Sequence, residues 1–155
     1  MGDSTMKKYI ALCIVATFLF LSACTIPTDK ILISLGSYET KEFYTSGGFQ
    51  DYTDYAKYTY KDIDLDGNKY FKQIDDLNQW NLILHIENFE DWIDTIGEND
   101  PNNEVVVNYD FDFSFISDTD YYCIYKDPNS SGYENYDVYF IDMETNTLYF
   151  FHNNI

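Results

Sequence analysis

Leu77-Asn-Gln-Trp-Asn-Leu-Ile-Leu-His-Ile-Glu-Asn-Phe-Glu-Asp-Trp-Ile-Asp-Thr-Ile96 has a period unlike anything around it. Leu82, Ile86, Phe89, Ile93 and Ile96 recur at alternating intervals of four and three, which lines up one face of an α-helix. Asp76, with Gln79 three positions on, forms a capping-box pattern, and Gly97 stands where a helix commonly stops. The spacing predicts a helix over 77–96, roughly 30 Å long at about 1.5 Å per residue. Asn81, Glu87, Asn88, Asp91 and Asp94 occupy its polar face, and Trp80 and Trp92 flank the apolar stripe.

On either side the period falls to two. In Tyr52 to Lys61, Tyr52, Ala56, Tyr58 and Tyr60 share one face and Thr53, Lys57, Thr59 and Lys61 the other, as in a half-buried strand. Asp66-Gly67-Asn68 offers a reversal, so Lys69 to Ile74 is expected to return as its hairpin partner. Ile31 to Leu35, bounded by Pro27 and Gly36, reads as a short first strand, and Glu104 to Tyr109 as a β-rich run. Asp110 to Asp120 is an aromatic and acidic connection with no clear period. Three more strands follow, Tyr121 to Lys126, Tyr136 to Asp142 and Thr147 to His152, with joins short enough for antiparallel neighbours. These elements do not alternate as parallel β-α-β units do. They predict an α+β fold: an antiparallel sheet of about five to six strands, with an N-terminal hairpin and a C-terminal meander, packed by one long helix near 77–96.

The chain opens differently. Lys7-Lys8 precedes an apolar run from Tyr9 to Ala23, and Leu21-Ser22-Ala23-Cys24 closes it. A basic start, a short apolar stretch and a small-residue processing site are the parts of a secretory signal. The run, about 15 residues, is shorter than the roughly 20 that cross a bilayer. Met6 blocks a myristoylation signal and is itself a plausible start, as is Met1. With all four lipobox positions filled, this segment resembles the bacterial lipoprotein precursor class. The resemblance implies cleavage before Cys24 and acylation of that residue. Two or three acyl chains hold a membrane firmly where one does not. The expected organisation is a signal peptide over 1–23, a lipidated Cys24 with a short tether over 24–30, and one extracytoplasmic domain over 31–155. The implied place is the outer face of a bacterial cell membrane.

Charge narrows the partners. The chain has nine Lys, no Arg and 27 acidic residues, for a net charge of −18. After the leader, seven basic side chains face 26 acidic ones, or −19. Such a field repels nucleic acid and anionic headgroups and attracts cations or basic proteins. Cys13 and Cys24 belong to the leader, so Cys123 alone remains in the domain and no internal disulfide forms. Its sequence neighbours are acidic, which predicts an inert thiol in a strand.

Asp62-Ile-Asp-Leu-Asp-Gly-Asn68 carries the most specific chemistry. Asp62, Asp64, Asp66 and Asn68 stand where the first half of an EF-hand loop has its oxygen donors, with Gly67 at the turn. Lys69 and Gln73 break the second half, which lacks the bidentate Glu, so calcium as a cofactor is a weak expectation beside a plain solvent-facing turn. Tyrosine is the other signal, with 15 of 16 beyond the leader. Burying all of them would require a partner for every hydroxyl, so some, such as Tyr55, Tyr133 and Tyr139, are expected to be exposed. His85 and His152 complete no catalytic motif. The carboxylate pairs Asp110/Asp112 and Asp118/Asp120 are expected to be satisfied or solvated. The sequence predicts a membrane-anchored binding module for a peptide, envelope glycan or protein. The alternatives are an inhibitor or immunity-type protein capturing a basic toxin or hydrolase, and a calcium-binding surface protein; an enzyme ranks last.

Overall fold

The computed structural model describes residues 29–48, 51–126 and 135–154. The chain divides after Ile33. The described part of the first unit is α1, Lys30–Ile33. The strand expected from Ile31 is therefore a helical turn at its start. Asp29 decides this, because its Oδ1 accepts from the backbone N–H of Ile31 at 2.9 Å and of Leu32 at 3.2 Å, capping a helix start.

The second unit, 34–155, holds an open sheet of six strands. These are β1 (Thr40–Thr45), β2 (Tyr52–Thr59), β3 (Lys72–Gln73), β4 (Tyr121–Lys126), β5 (Asn135–Asp142) and β6 (Thr147–Asn154). Their order is β1-β2-β6-β5-β4-β3, and every neighbouring pair is antiparallel. The pairing expected between 52–61 and 69–74 does not occur. β2 lies between β1 and β6, with Tyr55 opposite both Tyr44 and Phe151, while Lys72 and Gln73 pair with Tyr122 and Tyr121 at the far edge. The segment joining β2 to β3 is more than a turn, since Ile63 and Phe71 within it are buried.

The long helix is α2, Gln79–Asn99. Its start differs from the expected capping box: Asp75, not Asp76, accepts from the N–H groups of Leu77 and Asn78, both at 2.9 Å, and Asn78 is the N-cap. Its end also differs. Gly97 stays helical and packs beside Val106, where an added Cβ would lie 3.4 Å from Val106 Cγ1, so it faces the next helix instead of ending this one. That next helix is α3, Glu104–Asn108, where a strand was expected. Asn103 Oδ1 accepts from Val105 N at 3.1 Å, and this cap with the burial of Val105 overrides the β preference of three valines.

Leu82, Ile86, Phe89 and Ile93 of α2 are buried in a core with Tyr55, Tyr122, Val138, Phe140 and Phe151 of the sheet. Each such side chain stabilises by about 1.5–3 kcal/mol relative to exposure. Phe111, from the connection that had no readable period, sits at the centre of this core. Its ring lies edge-on to Phe140 at 5.5 Å, Tyr149 at 5.3 Å and Phe151 at 5.1 Å. The opposite face of the sheet is buried too, at Ala56, Tyr58, Tyr139, Ile141 and Leu148. Among the described residues no helix is long and apolar enough to cross a membrane.

Candidate functional site

A cleft of about 440 Å³ lies where the β1–β2 turn meets the C-terminal turns of α2. The turn is fixed first. Ser46 N donates to Thr53 O and Thr53 N to Ser46 Oγ, both at 2.8 Å. Asn103, the α3 cap, donates from Nδ2 to Ser46 O at 3.0 Å, so one asparagine ties the turn to the helical side of the cleft. Gly48 adopts φ +140°, and a Cβ there would lie 2.3 Å from Asp51 O. Only glycine fits that bend.

Two rings and two carboxylates line the space. Trp92, Thr95, Ile96 and Asn99 come from α2, Asp100 from its C-cap, and Asp51, Tyr52 and Thr53 from the opposite side. The last turn of α2 has no basic residue, so the negative end of a helix of 21 residues is left uncompensated beside Asp100. Aromatic faces and carboxylates together favour a cation whose stem is apolar, as in a lysine side chain. The outer face of α2 extends the same sign, with Glu87, Glu90, Asp91, Asp94 and Glu98 and no lysine along the whole helix.

A second constellation crosses the other sheet face. Asp54, His152 and Asp137 are directly opposed on β2, β6 and β5. His152 Nδ1 lies 2.5 Å from Asp137 Oδ1, whereas His152 Nε2 and Asp54 Oδ1 are enclosed without a hydrogen-bond partner. Burial pushes the Asp54 carboxyl above the usual carboxylate range. A hydrogen bond with Thr45 and the nearby His152 oppose that push. This row leaves no local pattern in the sequence, since its members are 15 or more positions apart along the chain and only strand register aligns them.

The residues that the sequence singled out lie elsewhere. Cys24 and Tyr133 fall outside the described residues. Asp62, Asp64 and Asp66 are exposed in the β2–β3 connection, where Asp64 Oδ1 accepts from Asp66 N at 2.9 Å. Asn68 is occupied as well, accepting from Tyr70 N at 2.9 Å and donating to Ser34 Oγ at 2.9 Å. Among the described residues no group of three or more His, Cys, Asp or Glu side chains is placed to hold a metal ion. Tyr55 and Tyr139 are buried, contrary to expectation. Buried hydroxyls find partners: Tyr55 donates to Asp110 Oδ1 at 2.7 Å, Tyr122 to Asn78 O at 2.9 Å, and Tyr136 to His85 O at 2.9 Å. Reaching a facing helix or loop satisfies a phenol as well as water does.

The remaining carboxylates and histidine hold structure together. Asp110 bonds Tyr55 and Lys57, Asp112 Oδ1 accepts from Ser114 N, and the buried Asp120 accepts from Ser117 N and Met143 N. His85 Nδ1 meets Asn81 O at 2.8 Å one turn back, and burial lowers its basicity. Cys123 is half-buried on β4, where a strand was expected, and takes part in no disulfide. No family model matches the chain, and no curated protein or solved structure is significantly similar to it.

Proposed function

We propose that this chain is a lipid-anchored binding module on the outer face of a bacterial membrane, and that its cleft takes a lysine-like group of a basic peptide or protein. The carrying observation is the Trp92–Tyr52 cleft with Asp51 and Asp100 at its walls and the bare C-terminal end of α2 beside it. An indole or phenol face attracts a cation by about 0.5–2 kcal/mol, and the apolar ring surface accepts the methylene stem. The acidic face of α2 speeds the encounter with a basic partner without adding much to its final affinity. That face favours the capture of a basic protein, as an inhibitor does, over the binding of a neutral glycan. The leader ending in Leu21-Ser22-Ala23-Cys24 supports attachment through Cys24.

Two measurements test the two halves. A lysine-rich peptide titrated into the protein should change tryptophan fluorescence at low salt, with Trp92→Ala removing the response and Trp80→Ala keeping it. No saturable response, or one indifferent to Trp92, rejects the cleft. Mass spectrometry of the processed protein should find an acylated Cys24 at the N-terminus; a retained leader or an unmodified Cys24 rejects the anchor.

A further inference from the structure

A different groove, of about 340 Å³, lies between the first turns of α2 and the β3–β4 edge of the sheet. We infer that it binds a phosphate group, a role separate from that of the cleft. Three observations converge on it. Lys72 and Lys126 line it together with His85, and none of the described residues lining it is acidic. In a chain of net charge −18 with only nine lysines, that local reversal of sign is the opposite of what composition supplies.

Lys72 is also poised for a ligand. Its ammonium lies 4.3 Å from the centre of the Tyr122 ring, and no ion pair reaches it among the described residues. Lys72 and Tyr122 are directly opposed on β3 and β4, so strand pairing holds the cation at the mouth of the groove. The helix supplies the third element. Asn81 lies in the first turn of α2, a helix of 21 residues that carries no acidic residue in that turn and no side-chain hydrogen bond from its N-cap. Asp75 already caps the N–H groups of Leu77 and Asn78, so the helix contributes Asn81 as a polar wall of the groove. Lysine ammoniums act as point charges suited to a tetrahedral oxyanion.

Size indicates the rest of the ligand. The groove exceeds a bare phosphate several times over, and Tyr70, Tyr122 and Ile124 form walls for an organic substituent. Phosphate ester chemistry reaches the outer membrane face from two sources, a free phosphorylated metabolite or a phospholipid headgroup. For a domain whose overall charge is repelled by anionic lipid, a single headgroup pocket would set its orientation on the membrane.

The test uses the full chain, isotope-labelled and followed by amide chemical shifts. The probes are inorganic phosphate, glycerol phosphate and dihexanoyl phosphatidylglycerol below its micellar concentration, with acetate at equal ionic strength as control. Saturable shifts at Tyr70, Lys72, Asn81 and Tyr122 are expected with at least one phosphate probe. Lys72→Met should weaken that binding about tenfold, for the loss of one close charge. Lys72→Arg should keep most of it, which separates charge from folding, and Trp92→Ala should leave it unchanged, which separates this groove from the cleft. A response to phosphatidylglycerol alone assigns the headgroup source, and a response to the soluble probes assigns the free one. No saturable shift, equal shifts with acetate, or indifference to Lys72→Met overturns the inference.

Discussion

Tyr55 and Asp110, 55 positions apart in the chain, are joined by a 2.7 Å hydrogen bond from the phenol to Oδ1. Lys57 completes the junction, donating to Asp110 Oδ2 at 2.7 Å and lying 3.1 Å from Glu42 Oε2. The phenol is wholly buried while the carboxylate faces solvent, so one bond seals the edge of the core between β2 and the connection that carries Phe111.

Removing the carboxylate strands the phenol. Asp110→Ala should destabilise by about 1–3 kcal/mol, the cost of a buried hydroxyl without an acceptor, whereas Tyr55→Phe should cost about 0.5–1.5 kcal/mol because Lys57 still satisfies Asp110. Urea unfolding of both variants measures this, and equal losses would contradict it. The pH dependence has a definite sign. Partial burial works against the Asp110 charge, but the bonds from Lys57 and Tyr55 outweigh it and hold the carboxyl below the usual range. With the folded value below the unfolded one, this contribution is complete above the ordinary carboxylate range and lost as pH falls through the folded value. Asp110→Ala should therefore narrow its gap from the parent protein in acid.

Asp54 behaves the other way. Burial raises its carboxyl, with the Thr45 hydrogen bond and His152 only partly offsetting that, so the folded state holds the proton more tightly than the unfolded one. Its contribution is most favourable below the ordinary carboxylate range and is lost as pH rises through the folded value. Asp54→Asn removes the charge and keeps an oxygen for Thr45. The variant should melt a few degrees, about 2–5 °C, above the parent at neutral pH. Thermal melts from neutrality down to about pH 3 should show the gain shrinking towards zero; a gain independent of pH would contradict the assignment.

The elements legible in the sequence are those whose own residues carry the period. Leu82, Ile86, Phe89 and Ile93 announce α2, and the strands at 121–126, 135–142 and 147–154 lie within two residues of where their alternation and turns place them. Elements decided by a neighbour were not legible. Val105 to Val107 read as a strand until Asn103 caps them, and Asp29 does the same for Ile31 and Leu32. Strand partnership was hidden for a related reason: β2 pairs with β6, nearly a hundred residues on, and local turn residues suggested Lys69 to Ile74 instead. The cleft lay beyond reach altogether, because Trp92 and Tyr52 are brought together only by the packing of α2 beside β2.

Two adjacent glycines in the β1–β2 turn should respond differently to the same change. Gly47 has φ +70° with open space where a Cβ would go, so Gly47→Ala should cost only the left-handed penalty, about 1–2 kcal/mol. Gly48→Ala adds a clash with Asp51 O, which must shift the backbone that carries Asp51 and Tyr52. It should destabilise more than Gly47→Ala and weaken peptide binding at the cleft as well. Paired melts and titrations test this, and equal effects of the two substitutions on binding would count against the cleft's dependence on the turn.

The cleft's two carboxylates and its indole should separate kinetically. Asp51 and Asp100 are exposed, so their charges act through solvent and are screened within about 10 Å at 0.1 M salt. Neutralising both as Asp51→Asn and Asp100→Asn should slow association with a lysine-rich peptide several-fold at low salt, flatten its salt dependence and barely change dissociation. Asp100→Asn keeps an oxygen for the Asn102 N–H that Asp100 Oδ1 accepts at 3.2 Å, so the melting temperature should hold. Trp92→Ala should do the reverse, speeding dissociation about tenfold through the loss of ring contact while the salt dependence persists. Stopped-flow fluorescence across a salt series distinguishes the two patterns. If the indole governed association and the carboxylates governed residence, the peptide's cation would be held by charge alone and the aromatic part of the site would have no role.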